Sequence, residues 1–559
     1  MPKITINGQG YDVPAGKTVL QVCLEQGIKI PYFCYHHKLS IAGNCRMCLV
    51  EVVGRPKLEI SCNCPVQEGM EIKTDSPVVL EARKSVLEFI LINHPLDCPI
   101  CDQAGECKLQ DQYFDHSAVP YRFREQKVQK PKAVPLGPLV VLDDERCILC
   151  TRCVRFCDEV PKAHEIALSE RGDRSTIVTY GTEGMKNAYS LNTVDICPVG
   201  ALTSRDFRFG KRVWFLSKTP SLCTGCSTGC NVWLDQERGV AYRYRPRENN
   251  DVNECWMCDE GRLTYKYINA PDRVVTPFAR SPENRQWTRA SWDTVLAQLR
   301  TILAQVSVAE RAVVLSAQCS NEENFAWTRL VRETWAGARL FATRREYPNP
   351  SEDQILRHCD KNPNARALSE FGIHERYAGG ARVLFVLDAL TPEEIAAVQQ
   401  TRPACVVLLT TNWGVHPDAV RWRPLTNVDA VIEQGGAADR LDTLKTDTLE
   451  APTPDPYPWA DFVLPLATVA EQCGTFVNVK GRVQRFERAM PSQAEARPAW
   501  AVAQHVATLE GRPLPWEDAA AILAAIGETV PSFQGITWEQ VGEFGTLLNG
   551  TAVRQCVSA

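Results

Sequence analysis

"CILCTRCVRFC" (residues 147–157) decides how this sequence is read. Its spacing, C-x2-C-x2-C-x3-C, is one that holds iron–sulfur cubes, and in that run the fourth cysteine ordinarily serves a second cluster. A second cluster would need its own C-x2-C-x2-C ahead of a Cys-Pro. Downstream stands "DICPVGALT" (195–203), with Cys197 before Pro198, but "NAYSLNTVDI" (187–196) holds no cysteine. One [4Fe–4S] cluster is therefore expected, on Cys147, Cys150, Cys153 and the distant Cys197. Residue 158 is Asp rather than the Pro of the two-cluster run, which leaves Cys157 over. A rival assignment uses Cys157 and frees Cys197.

The chain has 559 residues and 24 cysteines, and 19 of these lie within the first 258 positions. A secreted disulfide scaffold would be short and would carry a signal peptide, whereas "MPKITINGQG" (1–10) has no apolar core. Cysteines paired as C-x2-C in a reducing compartment read as metal ligands, and the protein is expected to stay where it is made. The net charge of −5 gives no reason to expect a nucleic acid or an anionic membrane surface as partner. The longest apolar run, "SVLEFILINH" (85–94), is shorter than the about 18 residues a membrane span needs. At about 100–200 residues per domain, the length suggests about three to five domains.

Three more groups of cysteines flank the opening one. In "CYHHKLSIAGNCRMCLV" (34–50) a loop cysteine, Cys34, precedes the close pair Cys45 and Cys48, with Cys62 further on. That order suits a plant-type [2Fe–2S] site. Cys64 competes with Cys62 for the fourth place. Upstream, "KITINGQGYDVP" (3–14) alternates like a hairpin, and "TVLQVCLEQG" (18–27) reads as a helix with Thr18 and Gln21 as capping box and Gly27 as stop. Hairpin, helix and cysteine loop suit a β-grasp ferredoxin. Cys23 is assigned to the helix core, on a stripe with Val19, Leu20 and Leu24. "HPLDCPICDQAGEC" (94–107) supplies Cys98, Cys101 and Cys107, one ligand short of a cube. His94, after an apolar helix around 78–93, is the expected fourth ligand, and imidazole in place of thiolate raises the potential. His36, His37 and His116 are left as surface or packing residues. "CTGCSTGC" (223–230) and "NECWMCDEGR" (253–262) give Cys223, Cys226, Cys230 and Cys258, with Cys255 as competitor. Four such thiolates also suit zinc.

From about residue 273 the style changes. "SWDTVLAQLRTILAQV" (291–306) puts Trp292, Val295, Leu296, Leu299, Ile302, Leu303 and Val306 on one helical stripe, capped by Ser291. "RAVVLSA" (311–317), "RVLFVLD" (382–388) and "CVVLLTT" (405–411) are strand-length apolar runs between helix-like stretches, the pattern of an α/β domain with a largely parallel sheet. "KVQKPKAVPLGP" (127–138) and "APTPDPYPW" (451–459) read as loops or linkers. There is no G-x-G-x-x-G, no Walker A sequence and no defensible catalytic constellation in this half.

Taken together, "CYHHKLSIAGNCRMCLVEV", "HPLDCPICDQAGEC", "CILCTRC…DICPVGALT" and "CTGCSTGC…CDEGR" resemble, in order, the family of the G subunit of bacterial NADH–quinone oxidoreductase and its mitochondrial 75-kDa counterpart, part of respiratory complex I. The likeness runs over about residues 1–270. "CSNEEN" (319–324), "DKNPNARAL" (360–368) and "ADFVLPLATVAEQCGTFVNVKGRVQ" (460–484) look like the molybdopterin-oxidoreductase fold that the family carries. The resemblance implies five parts: a [2Fe–2S] ferredoxin domain (1–77), a His-Cys [4Fe–4S] domain (78–125), a [4Fe–4S] ferredoxin-like domain (139–217), a further [4Fe–4S] domain (218–272) and a truncated pterin-type α/β domain (273–559). It implies an electron relay, from a flavoprotein that oxidises NADH toward other iron–sulfur subunits and quinone. It also implies only an indirect link to the membrane arm, on the cytoplasmic side of the bacterial membrane, with no membrane span and no nucleic acid. The cluster on Cys223, Cys226, Cys230 and Cys258 occurs in only some members. Molybdenum is not expected, because "LFATRREYPNP" (340–350) has Tyr347 and no cysteine near the place where formate dehydrogenases carry a metal ligand. An NAD-linked formate dehydrogenase is the alternative reading.

Overall fold

The computed structural model describes residues 1–117, 122–347, 349–413 and 455–550. They fall into two compact units, Met1–Phe215 and the described residues from Leu216 onward.

The first unit opens with the expected hairpin, β1 (Lys3–Ile6) and β2 (Gln9–Asp12). Asn7 and Gly8 turn it with φ of 51° and 83°, the positive pair that a tight hairpin of right-handed twist requires. Helix α1 (Val19–Glu25) begins on the Thr18–Gln21 capping box and its chain reverses at Gly27, φ 71°. Val19, Leu20, Val22 and Cys23 are buried, but Leu24 is exposed. It lies about 100° round the helix from Cys23, beyond the narrow face that so short a helix presents. Strands β3 (Leu49–Val52), β4 (Glu59–Ile60) and β5 (Glu71–Lys73) complete a sheet of order β2-β1-β5-β3-β4. β1 and β5 run parallel in the middle, and α1 covers one face through Ile4, Ile6, Val50 and Ile72.

Helix α2 (Pro77–Leu91) starts with Pro at its first turn. It is pinned to β3 by buried Arg83, whose Nε and Nη2 donate to Leu49 O at 3.1 and 2.8 Å. The helix stops at Leu91, earlier than the apolar pattern suggests, so His94 sits in the following loop. Helix α3 (Lys108–His116) follows. Strands β6 (Val134–Pro135) and β7 (Val140–Leu142) then begin a small sheet, so the stretch 127–138 is not all loop. Pro135, which has no N–H to give, stands on the edge strand β6. Helix α4 (Arg152–Glu159), hairpin β8 (Ile166–Ser169) and β9 (Thr176–Thr179), helix α5 (Asn192–Ile196) and strand β10 (Leu202–Ser204) complete the unit, β10 pairing with β7.

The second unit starts with an antiparallel sheet of β11 (Ser217–Leu222), β12 (Asn231–Glu237) and β13 (Val240–Pro246), followed by α6 (Asp259–Leu263). Next come β14 (Phe278–Arg280), β15 (Trp287–Arg289), α7 (Trp292–Ala304), β16 (Arg311–Ser316), α8 (Asn321–Arg329), β17 (Arg339–Thr343), α9 (Ala365–Glu370), β18 (Val383–Leu387), α10 (Pro392–Thr401), β19 (Cys405–Thr410) and β20 (Phe462–Pro465). They form the expected α/β layer, a sheet of order β15-β14-β20-β19-β18-β16-β17. The five strands from β20 to β17 pair in parallel, with β14 and β15 antiparallel at one edge. The apolar runs do not alternate because β16, β18 and β19 are buried on both faces. Helix α7 is capped by Ser291 and buries Trp292, Val295, Leu299 and Leu303; Leu296 and Ile302 lie at the rim of that stripe. Of the linker 451–459, residues 451–454 lie outside the described residues. Among the described residues no helix is long and apolar enough to cross a membrane.

Trp327 of α8 anchors this layer. It is fully buried, stacks obliquely on Phe385 with centroids 5.2 Å apart, and donates its Nε1–H to Ala499 O at 2.9 Å. Trp327→Ala is expected to cost about 3–5 kcal/mol, read as a lower denaturation midpoint of the second unit, with tryptophan fluorescence as probe.

Candidate iron–sulfur centres

The first centre forms on the loop between α1 and β3 and on the turn after β4. Cys34, Cys45, Cys48 and Cys62 converge. The Cys45 and Cys62 thiols hydrogen-bond Cys34 and hold its pKa far below the ordinary thiol value. Cys62 likewise brings Cys48 down to about 7, while the donors Cys45 and Cys62 are pushed up. A 3-10 turn, Ser61–Asn63, aims buried Cys62 into this set. Cys64 turns elsewhere: its sulfur receives Arg55 Nη1 at 3.8 Å. Arg46, between the paired cysteines, takes φ 59° to close the loop.

The second centre lies on the loop between α2 and α3. Cys98, Cys101 and Cys107 are within electrostatic reach of one another. His94 joins Cys98 and Cys107 in lining an apolar cavity of ≈ 800 Å³. Its Nδ1 is buried and meets no hydrogen-bond partner among the described residues. Burial also brings the imidazole pKa down to about 4, leaving it neutral at pH 7, the form in which histidine ligates. An unpartnered buried nitrogen in one cavity with Cys98 and Cys107, with Cys101 in reach of both thiols, is a donor set that fits a four-iron group.

The third centre gathers Cys147, Cys150, Cys153 and Cys197. These four line one cavity between β7, the start of α4 and the turn from Cys197 to Leu202. Leu149 and Thr151 both take positive φ, 53° and 60°, which wraps the loop around the sulfurs and lets Leu149 N donate to Cys147 Sγ at 3.4 Å. Cys157, one turn further along α4, instead packs 3.9 Å from Met185 Sδ. Burial and the neighbouring sulfurs raise the thiol pKa values of this set, so a metal is what would keep them deprotonated.

The fourth centre belongs to the second unit. Cys223, Cys226, Cys230 and Cys258 are buried; Cys230 feels the charge of the other three, and Cys258 that of Cys223 and Cys226. Cys258 caps α6 by accepting Gly261 N at 3.3 Å, and Gly225 N donates to Cys223 Sγ at 3.4 Å. A Cβ on Gly261 would stand 2.8 Å from Cys223 Sγ, so the sulfurs leave no room for a side chain there. Cys255 is half-buried in the turn before Cys258.

Contacts tie the first three centres together. Arg155 Nη2 donates to Cys34 O at 2.6 Å and to Cys150 O at 3.5 Å. The Cys197-Pro198-Val199-Gly200 turn faces the second centre: Lys108 N donates to Pro198 O at 3.1 Å, and Cys107 Sγ lies 4.0 Å from that oxygen. A Cβ on Gly200 would meet Cys101 Sγ at 2.2 Å. Asp97, next to Cys98, accepts from Lys132 and Arg146 at 2.6 and 2.9 Å. The sequence singles out neither these arginines nor Gly200, since contacts across such separations leave no spacing signal.

One trio outside these centres, Glu352, His358 and Cys359, brings donor atoms within 4.8 Å of one another. His358 Nδ1 already accepts Asp360 N at 3.0 Å and meets the Ser227 hydroxyl at 2.9 Å, so that nitrogen is committed. Of the remaining thiols, Cys23, Cys319 and Cys405 are buried, Cys473 is half-buried and Cys556 lies outside the described residues.

Comparison with known proteins finds iron–sulfur binding families over the segments that carry these cysteines. Residues 2–77 match the family described as 2Fe-2S iron-sulfur cluster binding domain. Residues 83–118 match the NADH-ubiquinone oxidoreductase-G iron-sulfur binding region, and 137–203 the NADH-quinone oxidoreductase subunit 3, ferredoxin-like domain. Residues 216–270 match the molybdopterin oxidoreductase Fe4S4 domain and 457–509 molybdopterin oxidoreductase. The G subunit of the NADH-quinone oxidoreductase of Rickettsia felis is 40% identical over 333 residues, covering 60% of this chain and 49% of the relative. The NADH-ubiquinone oxidoreductase 75 kDa subunit of Reclinomonas americana is 38% identical over 372 residues, 65% of this chain and 53% of the relative. Among solved structures, an NAD+-reducing [NiFe]-hydrogenase in the H2-reduced state matches at a TM-score of 0.35 and 29% identity, covering 38% of this chain and 91% of that one. The chain spans about half the length of the curated relatives it matches. It is thus a relative of the G and 75-kDa subunits of NADH–quinone oxidoreductase, carrying [2Fe–2S] and [4Fe–4S] binding domains and a molybdopterin-oxidoreductase fragment.

Proposed function

We propose that this chain is an electron-transfer subunit of an NADH–quinone oxidoreductase. It relays electrons singly from a flavoprotein partner that oxidises NADH toward other iron–sulfur subunits and quinone. Four clusters are assigned: [2Fe–2S] on Cys34, Cys45, Cys48 and Cys62; [4Fe–4S] on His94, Cys98, Cys101 and Cys107; and [4Fe–4S] on Cys147, Cys150, Cys153 and Cys197 and on Cys223, Cys226, Cys230 and Cys258. They fall in segments 1–77, 78–125, 139–217 and 218–272, with 273–559 a scaffold of pterin type. The working site is the cytoplasmic side of the bacterial membrane, held there by partners.

The observation that carries this reading is the set of contacts joining the first three donor sets: Arg155 on Cys34 O and Cys150 O, and the Cys197–Gly200 turn against Cys101 and Cys107. Bound clusters would supply reversible one-electron chemistry. The chain's own part is to fix the sulfurs, exclude water and tune potentials through ligand type and N–H···S bonds such as those from Leu149, Gly225 and Gly261. No general acid or base enters. Unit two is read as lacking molybdenum because no cysteine stands near Tyr347, and the formate dehydrogenase alternative requires that ligand.

Anaerobically purified protein should contain about 14 irons per chain, without zinc or molybdenum. About 10 irons with one zinc would remove the fourth cluster, and stoichiometric molybdenum would overturn the scaffold role. Cys62→Ser should abolish the [2Fe–2S] signal in electron paramagnetic resonance, whereas Cys64→Ser should keep it. Gly200→Ala, which drives a methyl into Cys101 Sγ, should lower the iron content by about four atoms per chain. Gly10→Ala, which meets nothing within 4 Å, should leave it unchanged.

A further inference from the structure

Helix α4 carries two arginines that reach away from their own cysteine loop. Arg152 is buried at 3% exposure; its Nη1 donates to Ile196 O at 3.1 Å, next to Cys197, and its Nη2 to Tyr35 O, next to Cys34. Arg155, half-buried, donates to Cys34 O and Cys150 O, and its Nη1 to Ser40 O. Apart from Ser40 O, the carbonyls that receive these bonds thus belong to, or adjoin, ligands of two different centres. The nearby groups include Tyr32, which lies under both Arg152 and Lys108, His36, within electrostatic reach of both arginines, and Glu159, which accepts Ser40 N at 2.8 Å.

We propose that Arg152 and Arg155 form a shared positive charge that raises the reduction potentials of the Cys34/45/48/62 and Cys147/150/153/197 centres together. A guanidinium stays protonated at any working pH, so the charge is fixed. Reduction adds one negative charge to a centre, and a cation held in a low-dielectric interior stabilises that state more than it would in water. A single pair of residues therefore acts on both centres at once and keeps their potentials moving in step. The ring and carbonyl contacts alone would give a purely structural clamp, and that role would leave the potentials where they are. The inference rests on the ligand assignment proposed above.

The test is a redox titration of the cluster-loaded full chain, following the [2Fe–2S] and [4Fe–4S] signals by electron paramagnetic resonance, with iron counted in each sample. Arg152→Gln should lower both midpoints, by about a tenfold change in the one-electron equilibrium, or about 59 mV. Arg155→Gln should lower both by less, and Arg155→Lys, which keeps the cation, should restore them. If Arg152→Gln loses iron, half-buried Arg155 decides the matter. If both Gln variants lose iron, the arginines serve to hold the cysteine loops, and the proposal is overturned. Midpoints unchanged at full iron content, a shift in one signal only, or a low midpoint in Arg155→Lys would overturn the proposal. A wild-type chain that shows neither signal would instead overturn the ligand assignment.

Discussion

Burying thiolates is the constraint on which the first unit depends. A sulfur removed from water resists deprotonation, and the pKa values of Cys147, Cys150, Cys153 and Cys197 rise for that reason. The surrounding elements are slight: strands β3 to β7 and β10 have two to four residues each, and α5 has five. Such elements bury little apolar area. A ligated metal would neutralise the thiolates and hold the loops at the same time, so that its binding energy becomes folding energy. The left-handed backbone at Leu149 and Thr151, costly for residues with a Cβ, is the kind of strain that a filled site can sustain.

Much of this was legible in the sequence because ligand spacing is a local property. C-x2-C pairs and the shortage of a fourth cysteine beside Cys98, Cys101 and Cys107 pointed to the convergent sets and to His94. What spacing left open was which of two close cysteines turns inward. A 3-10 turn and the attraction of Arg55 separate Cys62 from Cys64, and Met185 occupies Cys157. Those partners lie outside the motifs. The arginine contacts were invisible for the same reason, since Arg152 reaches a carbonyl 117 residues away.

In the second unit the apolar runs announced buried strands, and β16, β18 and β19 lie where they were expected. The sheet's other edge was not readable. β14 and β15 are three residues each, and β20 returns from a distant part of the chain to pair between β14 and β19. Short strands give too little periodicity to register. The polar run of α8, "SNEENFAWTR" (320–329), carries no apolar sign of burial, yet Asn321, Glu322, Glu323 and Asn324 are buried. They are accommodated because Thr475 bonds Glu322, while Ser320 N and Ala499 N bond Glu323. Burial raises the Glu322 pKa to about 7, so the cluster need not carry its full charge.

The hold of α4 on the first domain has a consequence for how the chain can change. Arg152 and Arg155 grip the backbone oxygens of Cys34, Tyr35 and Ser40, and every residue type offers the same oxygen. Exposed positions of the loop such as His37 can therefore drift in sequence without loosening the junction, whereas Tyr35 and Leu39 are buried and the Ser40 hydroxyl bonds Glu159. Arg152 has no such freedom, because its guanidinium serves two carbonyls at once and lysine cannot present that fork. Across related chains, variation should collect on the exposed part of the gripped loop and invariance at Arg152.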